Sequence, residues 1–332
     1  MSDKVEKLTF LLALQKRLGG SIPFDRWMRE ALYHEKFGYY TTKIRELGRH
    51  GDFTTWPVLQ ESLGHAIGKW ILQKGSIGGQ SLIEIGAGSG ELAATVIGTM
   101  GWWKRPRYHI VEISPRLREA QQQRLGSKAV WHRSVAEALS AAGGSAILFS
   151  NELVDAFPCR VFAKDVDRWR ELALRIDEMR VVEEWITSPL PDSTAFLQPW
   201  FESQRVEVHE SYHCWLREWL PVWKAGSMLT IDYGDHCPAL YSRRPRGTLR
   251  AYAHHQRLEG SEVYNGFGLR DLTADVNFSD LEGQGSLTTV TFSSLGEFLS
   301  RYAASPAKDN RSDNFFAPGG AGEAFKVLIQ ER

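Results

Sequence analysis

The apolar and polar residues of this chain follow two different periods. Leucines at helical spacing predict a helix over residues 4–18 that ends at Gly19 and Gly20, and a similar pattern recurs over 24–34 and 61–72. Short apolar runs of the kind found in buried parallel strands begin after residue 80. The predicted strands are 82–85, 108–113, 146–150 and 227–234, and the C-terminal part adds 287–292 and 325–329.

Helical patterns separate several of these strands. Apolar positions at 92, 93, 96 and 97 predict a helix directly after the first strand, and 115–125 and 206–225 predict two more. Repeated strand-then-helix units predict a doubly wound α/β fold. Between residues 160 and 186 the period changes to alternation, which predicts a small inserted antiparallel β-meander.

A loose glycine-rich loop beginning at Gly75 predicts the main domain boundary. We expect an N-terminal helical segment, or lid, over 1–75. The α/β domain then occupies 76–332 and is interrupted by an insertion at about 157–205.

Composition and charge exclude some classes of partner. Lysine plus arginine and aspartate plus glutamate both number 40, so no net charge attracts the chain to nucleic acid or to an anionic membrane. The 3 cysteines show no C-x-x-C spacing, which suits a reducing compartment. The apolar run near the N-terminus is too short for a signal core or a membrane span. We therefore expect a cytoplasmic protein with no nucleic-acid partner and no membrane insertion.

A glycine-rich turn follows the first buried strand. Its pattern is E-x-G-x-G-x-G, formed by Glu84, Gly86, Gly88 and Gly90. Glycine allows positive φ angles and lets the backbone approach a ligand closely. The dinucleotide pattern G-x-G-x-x-G requires a third glycine where this chain has Glu91, and no Gly-Lys-Ser/Thr follows for a P-loop. A glycine turn without a ligand remains an alternative, but the pattern resembles the first motif of class I S-adenosylmethionine (SAM) methyltransferases.

Polar side chains stand at the ends of four predicted strands. Glu84 precedes the glycines, Glu112 ends the next strand, Asn151 and Glu152 follow the third, and Asp232 ends the fourth. Ligands of doubly wound sheets bind at the carboxyl ends of the strands, so these groups should converge on one crevice. A carboxylate in the position of Glu112 can accept hydrogen bonds from the two hydroxyls of a ribose.

Taken together, these residues resemble the MidA-like class I methyltransferases. This family includes a mitochondrial complex I assembly factor that methylates an arginine of a complex I subunit. The resemblance covers most of the chain, through the glycine motif and through residues 22–24, 38–40, 51–55, 111–115, 150–152, 155–158, 232–234, 247–250 and 271–274.

The resemblance implies SAM as the cofactor. The glycine turn would give the cofactor backbone room, Glu112 would hold the ribose, and Glu84 would either orient the turn or meet the amino group. Gly51, Asp52 and Phe53 would close over the cofactor from the N-terminal side.

The resemblance also implies a methyl acceptor on a protein, namely an arginine of a respiratory complex I type subunit or a similar protein. Asn151, Glu152 and Asp155 match an acidic loop that handles the guanidinium in arginine methyltransferases. Two carboxylates can clamp a planar guanidinium and polarise one nitrogen. Asp155 is shorter than the usual second glutamate, which leaves the geometry of the clamp open.

Two other functions stay open at this level. The first is a SAM-binding assembly or scaffold protein with little or no methyl transfer. The second is zinc proteolysis, because His209, Glu210 and His213 match H-E-x-x-H. The extended metzincin pattern fails, since Leu216 and Trp219 occupy its glycine and histidine positions. We therefore expect no metal.

Overall fold

The structure is a computed structural model that describes residues 3–43, 57–74, 81–101, 106–178, 180–253, 256–258, 260–283, 286–303 and 320–332. Its strands are β1 (Ile22–Pro23), β2 (Ser81–Ile85), β3 (Tyr108–Val111), β4 (Val130–His132), β5 (Ala146–Asn151), β6 (Arg160–Asp165), β7 (Arg168–Asp177), β8 (Arg180–Ile186), β9 (Arg205–Val208), β10 (Ser227–Asp235), β11 (Arg250–Ala253), β12 (Gln256–Leu258), β13 (Asp271–Thr273), β14 (Val276–Asn277), β15 (Thr288–Ser294) and β16 (Phe325–Glu331). Its α-helices are α1 (Asp3–Arg17), α2 (Phe24–Tyr33), α3 (Pro57–Gln73), α4 (Glu91–Thr99), α5 (Pro115–Leu125), α6 (Val135–Ala141), α7 (Glu210–Trp219), α8 (Phe278–Glu282), α9 (Leu295–Tyr302) and α10 (Ala321–Ala324).

The chain divides into two compact units, each assembled from separate stretches. The first unit comprises Met1–Arg45, Val154–Cys214 and Asp235–Asp280. The second unit comprises Glu46–Leu153, Trp215–Gly234 and Leu281–Arg332. The first unit thus groups the N-terminal helices with the inserted meander. The domain division predicted from the sequence, at residue 75 with an insertion at about 157–205, stays a prediction.

The second unit contains the doubly wound sheet that the sequence predicts. Its strand order is β15-β16-β10-β5-β2-β3-β4. Strands β10, β5, β2, β3 and β4 pair in parallel, whereas β16 is antiparallel to both of its neighbours. The chain builds outward from β2 through β3 to β4 and then crosses to β5, so the strand order reverses between β2 and β5. Such a reversal opens a ligand-binding crevice at the carboxyl ends of the strands.

Helices α3 and α4 of this unit pack unusually closely. A Cβ atom on Gly64 would lie 2.6 Å from the Cβ of Thr95, and one on Gly68 would lie 2.7 Å from the Cβ of Thr99. The absent side chains let the two helices approach, and the fully buried Ile67 joins the apolar core of the sheet. This packing holds α4, and therefore the glycine turn before it, against the sheet.

The first unit contains the inserted meander. Strands β6, β7 and β8 pair antiparallel, as the alternating pattern predicts, and β1 and β9 extend the same sheet. Helix α2 lies against β6 and β7, and its buried apolar residues include Phe24, Trp27 and Met28. A second, smaller sheet has the order β12-β11-β13, and this sheet was missed in the sequence analysis.

The helix predicted over 206–225 is partly wrong. Residues Arg205–Val208 form strand β9, and helix α7 begins only at Glu210. The carboxylate of Glu207 is completely buried and accepts hydrogen bonds from the backbone N–H groups of Thr248 and Leu249 and from the Thr248 hydroxyl. These donors lie about 40 residues away in the chain, so no local pattern could reveal that this glutamate faces the interior.

Candidate cofactor and acceptor site

The glycine turn connects β2 to α4 with three residues in the left-handed region. The φ angles of Gly86, Gly88 and Gly90 are 73°, 53° and 79°. A Cβ on Gly86 would lie 3.0 Å from Cδ1 of Leu153, and this places the turn after β5 next to the turn after β2. Residues other than glycine would be strained at these positive φ angles, so glycine fits all three positions of the turn.

Glu112 follows β3 at the same edge of the sheet. It is 7 % exposed, and its Oε1 accepts a hydrogen bond of 2.9 Å from the backbone N–H of Ser114. Its Oε2 accepts a bond of 3.0 Å from Gln121 Nε2. Burial raises the pKa of Glu112, and these hydrogen bonds oppose that rise by stabilising the carboxylate. The carboxylate is therefore held in place and keeps lone pairs for further donors.

Glu152 follows β5 with an unusual backbone. Its φ angle is +50°, although it is not glycine, and its N–H donates to the carbonyl of Ile231 at 2.9 Å. Its Oε1 accepts a hydrogen bond of 3.1 Å from Asn151 Nδ2. Strained residues of this kind persist only where surrounding contacts hold them in place, and they cluster at functional sites. One such contact comes from Asp232 Oδ2, which accepts from the N–H of Leu153 at 3.1 Å.

Glu84 lies on β2, two residues before the glycine turn. It is 2 % exposed, and its Oε2 accepts a hydrogen bond of 2.5 Å from the Tyr108 hydroxyl. Burial raises the pKa of Glu84 from 4.5 to about 7, with a smaller contribution from the charge of Glu112, while the Tyr108 hydrogen bond opposes the rise. The two roles left open for Glu84, orienting the turn or meeting the amino group of the cofactor, both stay predictions.

We expect Glu84→Gln to make the protein more stable at neutral and higher pH. The raised pKa means that ionising Glu84 costs more in the folded than in the unfolded state. The wild type should therefore lose stability as the pH rises from 4.5 to about 7 and reach a plateau above that range. The variant should gain up to about 3 kcal/mol at the plateau and almost nothing below the window. Urea unfolding at a series of pH values measures this difference, and a difference that does not change with pH would contradict the assignment.

The remaining predicted site residues divide into two groups. Asp155 belongs to the first unit, where it is buried and its backbone carbonyl accepts from the N–H of Ala274 at 3.0 Å. Gly51, Asp52 and Phe53 lie outside the described residues. The roles of all four, like those of the other site residues, stay predictions.

Glu210 of the H-E-x-x-H stretch forms an ion pair with Arg160. Glu210 Oε2 lies 3.1 Å from Nη1 of Arg160, which also binds Glu171. Burial, and to a smaller extent the nearby His213, lowers the pKa of His209 to about 3. Within the described ranges, no group of three or more His, Cys, Asp or Glu side chains is arranged to hold a metal ion.

One buried polar residue beside the site, Gln121, was missed in the sequence analysis, and it contacts Glu112 directly. Asp232, which the sequence analysis placed at a strand end facing the crevice, accepts a hydrogen bond from the backbone after Glu152. A signal for Gln121 exists in the sequence, because it interrupts an apolar stripe formed by Leu117 and Leu125 at intervals of four residues. The role of Asp232 depends on the pairing of β5 with β10 and has no local signal.

The strand order and the glycine turn define a class I, SAM-dependent methyltransferase. A family model described as "Putative S-adenosyl-L-methionine-dependent methyltransferase" matches residues 63–294, which is more than half of the 332 residues. The chain belongs to this family, and the fold class and the cofactor predicted from the sequence are confirmed.

Individual relatives agree with this assignment. The mitochondrial protein arginine methyltransferase NDUFAF7 of Danio rerio is 27% identical over 299 residues, which cover 79% of this chain and 68% of the relative. The Drosophila melanogaster homologue of that protein is 28% identical over 305 residues, with 78% and 65% covered. The chain therefore spans about two thirds of the length of these relatives. These matches support the MidA-like resemblance.

A solved structure shows the same fold over nearly the whole chain. It is a "likely methyl transferase from Burkholderia thailandensis bound to S-adenosyl-homocysteine". Its TM-score is 0.83 at 25% identity, and the match covers 98% of this chain and 91% of that one.

The expected cytoplasmic localisation is contradicted by the relatives, which are named as mitochondrial proteins. Cysteine number and the lack of a long apolar run cannot distinguish one reducing compartment from another. Within the described part of the chain, no helix combines the length and the apolar character needed to cross a membrane.

Proposed function

We propose that this protein transfers the methyl group of SAM to an arginine side chain of a protein. The observation that carries the proposal is the strained backbone of Glu152, whose neighbour Leu153 packs against Gly86 of the glycine turn. The names of the relatives, which are protein arginine methyltransferases, support the same acceptor. A respiratory complex I type subunit, implied by the resemblance, is the proposed kind of substrate.

The residues of the cofactor site fit SAM. The ligand carries a ribose, an amino-acid portion and a cationic sulfonium. When bound, it would supply the methyl group: the new N–C bond forms as the S–C bond breaks, and S-adenosylhomocysteine leaves as a neutral thioether. Glu112 would accept hydrogen bonds from the ribose hydroxyls, because Ser114 and Gln121 hold its carboxylate in place and use only part of its acceptor capacity. Gly86, Gly88 and Gly90 let the backbone lie close to the amino-acid portion.

Glu152 binds the acceptor. Guanidinium has a pKa above about 12 and is a poor nucleophile while its charge is delocalised. Glu152 accepts hydrogen bonds from the guanidinium, which concentrates the charge away from the attacking nitrogen, and it receives the proton that this nitrogen loses on methylation. Asn151 holds the carboxylate of Glu152 through the hydrogen bond at 3.1 Å. Asp155 is the proposed second carboxylate of the clamp.

Transfer of labelled methyl groups tests this function. The purified protein is incubated with SAM carrying a tritiated methyl group and with an extract from cells that lack this gene, whose substrate is then unmethylated. We expect a labelled protein band, and acid hydrolysis of that band should yield labelled methylarginine. Label in another amino acid or in a small molecule would contradict arginine as the acceptor. SAM binding without any labelled product would instead favour the scaffold function.

A further inference from the structure

Helix α5 carries a buried glutamine in the middle of its apolar face. Gln121 lies four residues after Leu117 and four before Leu125, and its exposed fraction is 0 %. Glutamine is seldom completely buried unless its amide is fully hydrogen-bonded. The neighbouring Gln122 and Gln123 are exposed. Gln121 therefore differs from the two adjacent glutamines in its burial, although the three side chains are chemically identical.

The amide of Gln121 joins three separate parts of the second unit. Its Nε2 donates to the carbonyl of Gly88 at 2.8 Å and to Glu112 Oε2 at 3.0 Å. Its Oε1 accepts from the indole N–H of Trp131 at 3.0 Å. An indole nitrogen can only donate, so the atom that faces Trp131 must be the oxygen. Trp131 thereby fixes the amide orientation and directs the NH₂ group to its two acceptors.

The third glycine of the motif lies next to Gln121. A Cβ on Gly90 would lie 3.4 Å from Cγ and 3.5 Å from Cα of Gln121, which are van der Waals contact distances. Helix α5 therefore packs directly over the turn at Gln121. Glycine is favoured at position 90 because its φ angle of 79° begins α4 in the left-handed region.

We infer that Gln121 is a positioning residue of the cofactor site, which locks the glycine turn and the ribose-binding carboxylate of Glu112 into one rigid arrangement. This inference rests on the proposed role of Glu112. Gln121 acts on the cofactor only through Gly88 and Glu112. Because the same NH₂ group holds both, the separation of the turn from the carboxylate is set before the cofactor binds, and less ordering is needed on binding.

Gln121 also favours the charged form of Glu112. The backbone N–H groups of Ser114 and Ile113 also stabilise the charge of this carboxylate. Among charged side chains, Arg118 on α5 stabilises that charge and Glu84 on β2 repels it. From β4, the backbone carbonyl of His132 accepts from the N–H of Glu112, and the ring of His132 is hydrogen-bonded to His109. Removal of the Gln121 amide leaves these groups in place and raises the pKa of Glu112.

Substitution of Gln121 by leucine, with the same change at Gln122 and Gln123 as matched controls, tests the inference. The probe is S-adenosylhomocysteine, and calorimetry measures its Kd at a series of pH values. We expect Gln121→Leu to weaken binding about tenfold, the loss of roughly one hydrogen bond to a charged group. Affinity should fall at low pH because Glu112 becomes protonated. In Gln121→Leu the pH below which affinity falls should move up by about 1 unit, because the charged form of Glu112 has lost a hydrogen bond. The control variants should bind like the wild type with an unchanged pH profile.

Two further variants keep the result interpretable. If Gln121→Leu does not fold, Trp131→Phe retains a ring but loses the N–H that orients the amide, and binding should weaken about threefold with the same upward pH shift. Glu112→Ala is measured in parallel. Normal binding by Glu112→Ala would overturn the ribose role and this inference together. Lost binding by Glu112→Ala, combined with an unchanged Kd or an unchanged pH profile in Gln121→Leu or Trp131→Phe, would overturn the role of Gln121 alone.

Discussion

Glu152→Gln should reduce the rate of methyl transfer by about 100- to 1,000-fold, the usual effect of removing one preorganised charged group from a transition state. Glutamine keeps the size of the side chain and can retain the contact with Asn151. It cannot carry the negative charge that polarises the guanidinium or accept the released proton. The affinity for S-adenosylhomocysteine should stay within about twofold of the wild type, since the cofactor is held by other residues.

The backbone of Glu152 provides a second, independent test of its role. Glycine at this position would relieve about 1–2 kcal/mol of left-handed strain, against a cost of about 0.5–1 kcal/mol in the entropy of the unfolded chain. Glu152→Gly should therefore be as stable as the wild type or more stable by up to about 1 kcal/mol, and yet inactive. Denaturant unfolding and the labelled-SAM assay measure the two properties on one sample.

Glu178 offers a matched control for this substitution. It is also a glutamate with a positive φ angle, +44°, but it is exposed in the turn after β7. Glu178→Gly should bring a similar change in stability with full activity. If Glu152→Gly and Glu152→Gln both retain methyl transfer, Glu152 is a structural residue and the proposed acceptor site is wrong.

Glu112→Ala should weaken the binding of SAM and of S-adenosylhomocysteine by about 100-fold, because each hydrogen bond to a buried charged acceptor contributes about 1.5–3 kcal/mol. The side chain is held by Ser114 and Gln121 before any ligand binds, so its loss removes a preorganised contact. Calorimetry with both ligands measures the effect. The loss should be similar for the two ligands, since they share the ribose and differ at the sulfur.

Glu119 is the control for this prediction, as an exposed glutamate in the neighbouring helix. Glu119→Ala should bind both ligands like the wild type. Thermal unfolding of each variant shows whether a loss of binding comes from loss of the fold. A folded Glu112→Ala variant with wild-type affinity would rule out this carboxylate as the ribose ligand.

Much of the cofactor site could be predicted because its elements are local in sequence. The glycine turn, the buried strand before it and the helix after it lie within about one βα unit, whose periods and glycine spacing are visible in the chain. The acids at the strand ends were predicted in the same way. The parallel order of β10, β5, β2 and β3 then brings Asp232, Glu152, Glu84 and Glu112 to one edge of the sheet.

The errors have different physical causes. Strand β9 was taken for part of a helix because the partners of Glu207 lie about 40 residues later, and the small sheet of β11, β12 and β13 has strands too short to show a period. Localisation was misjudged for another reason, since composition does not report which reducing compartment a protein occupies.

The sequence alone determined that this chain builds a doubly wound sheet with a glycine turn for SAM and acids at its strand ends, because each of these features is encoded by residues within a few positions of one another. Only the tertiary structure decided how those acids are used. It buried Glu84 against Tyr108, strained the backbone of Glu152, and joined Gln121 to Glu112 and Trp131. Burial, pKa and hydrogen-bond partners depend on contacts between strands and helices that are distant in the chain, and no local pattern contains them.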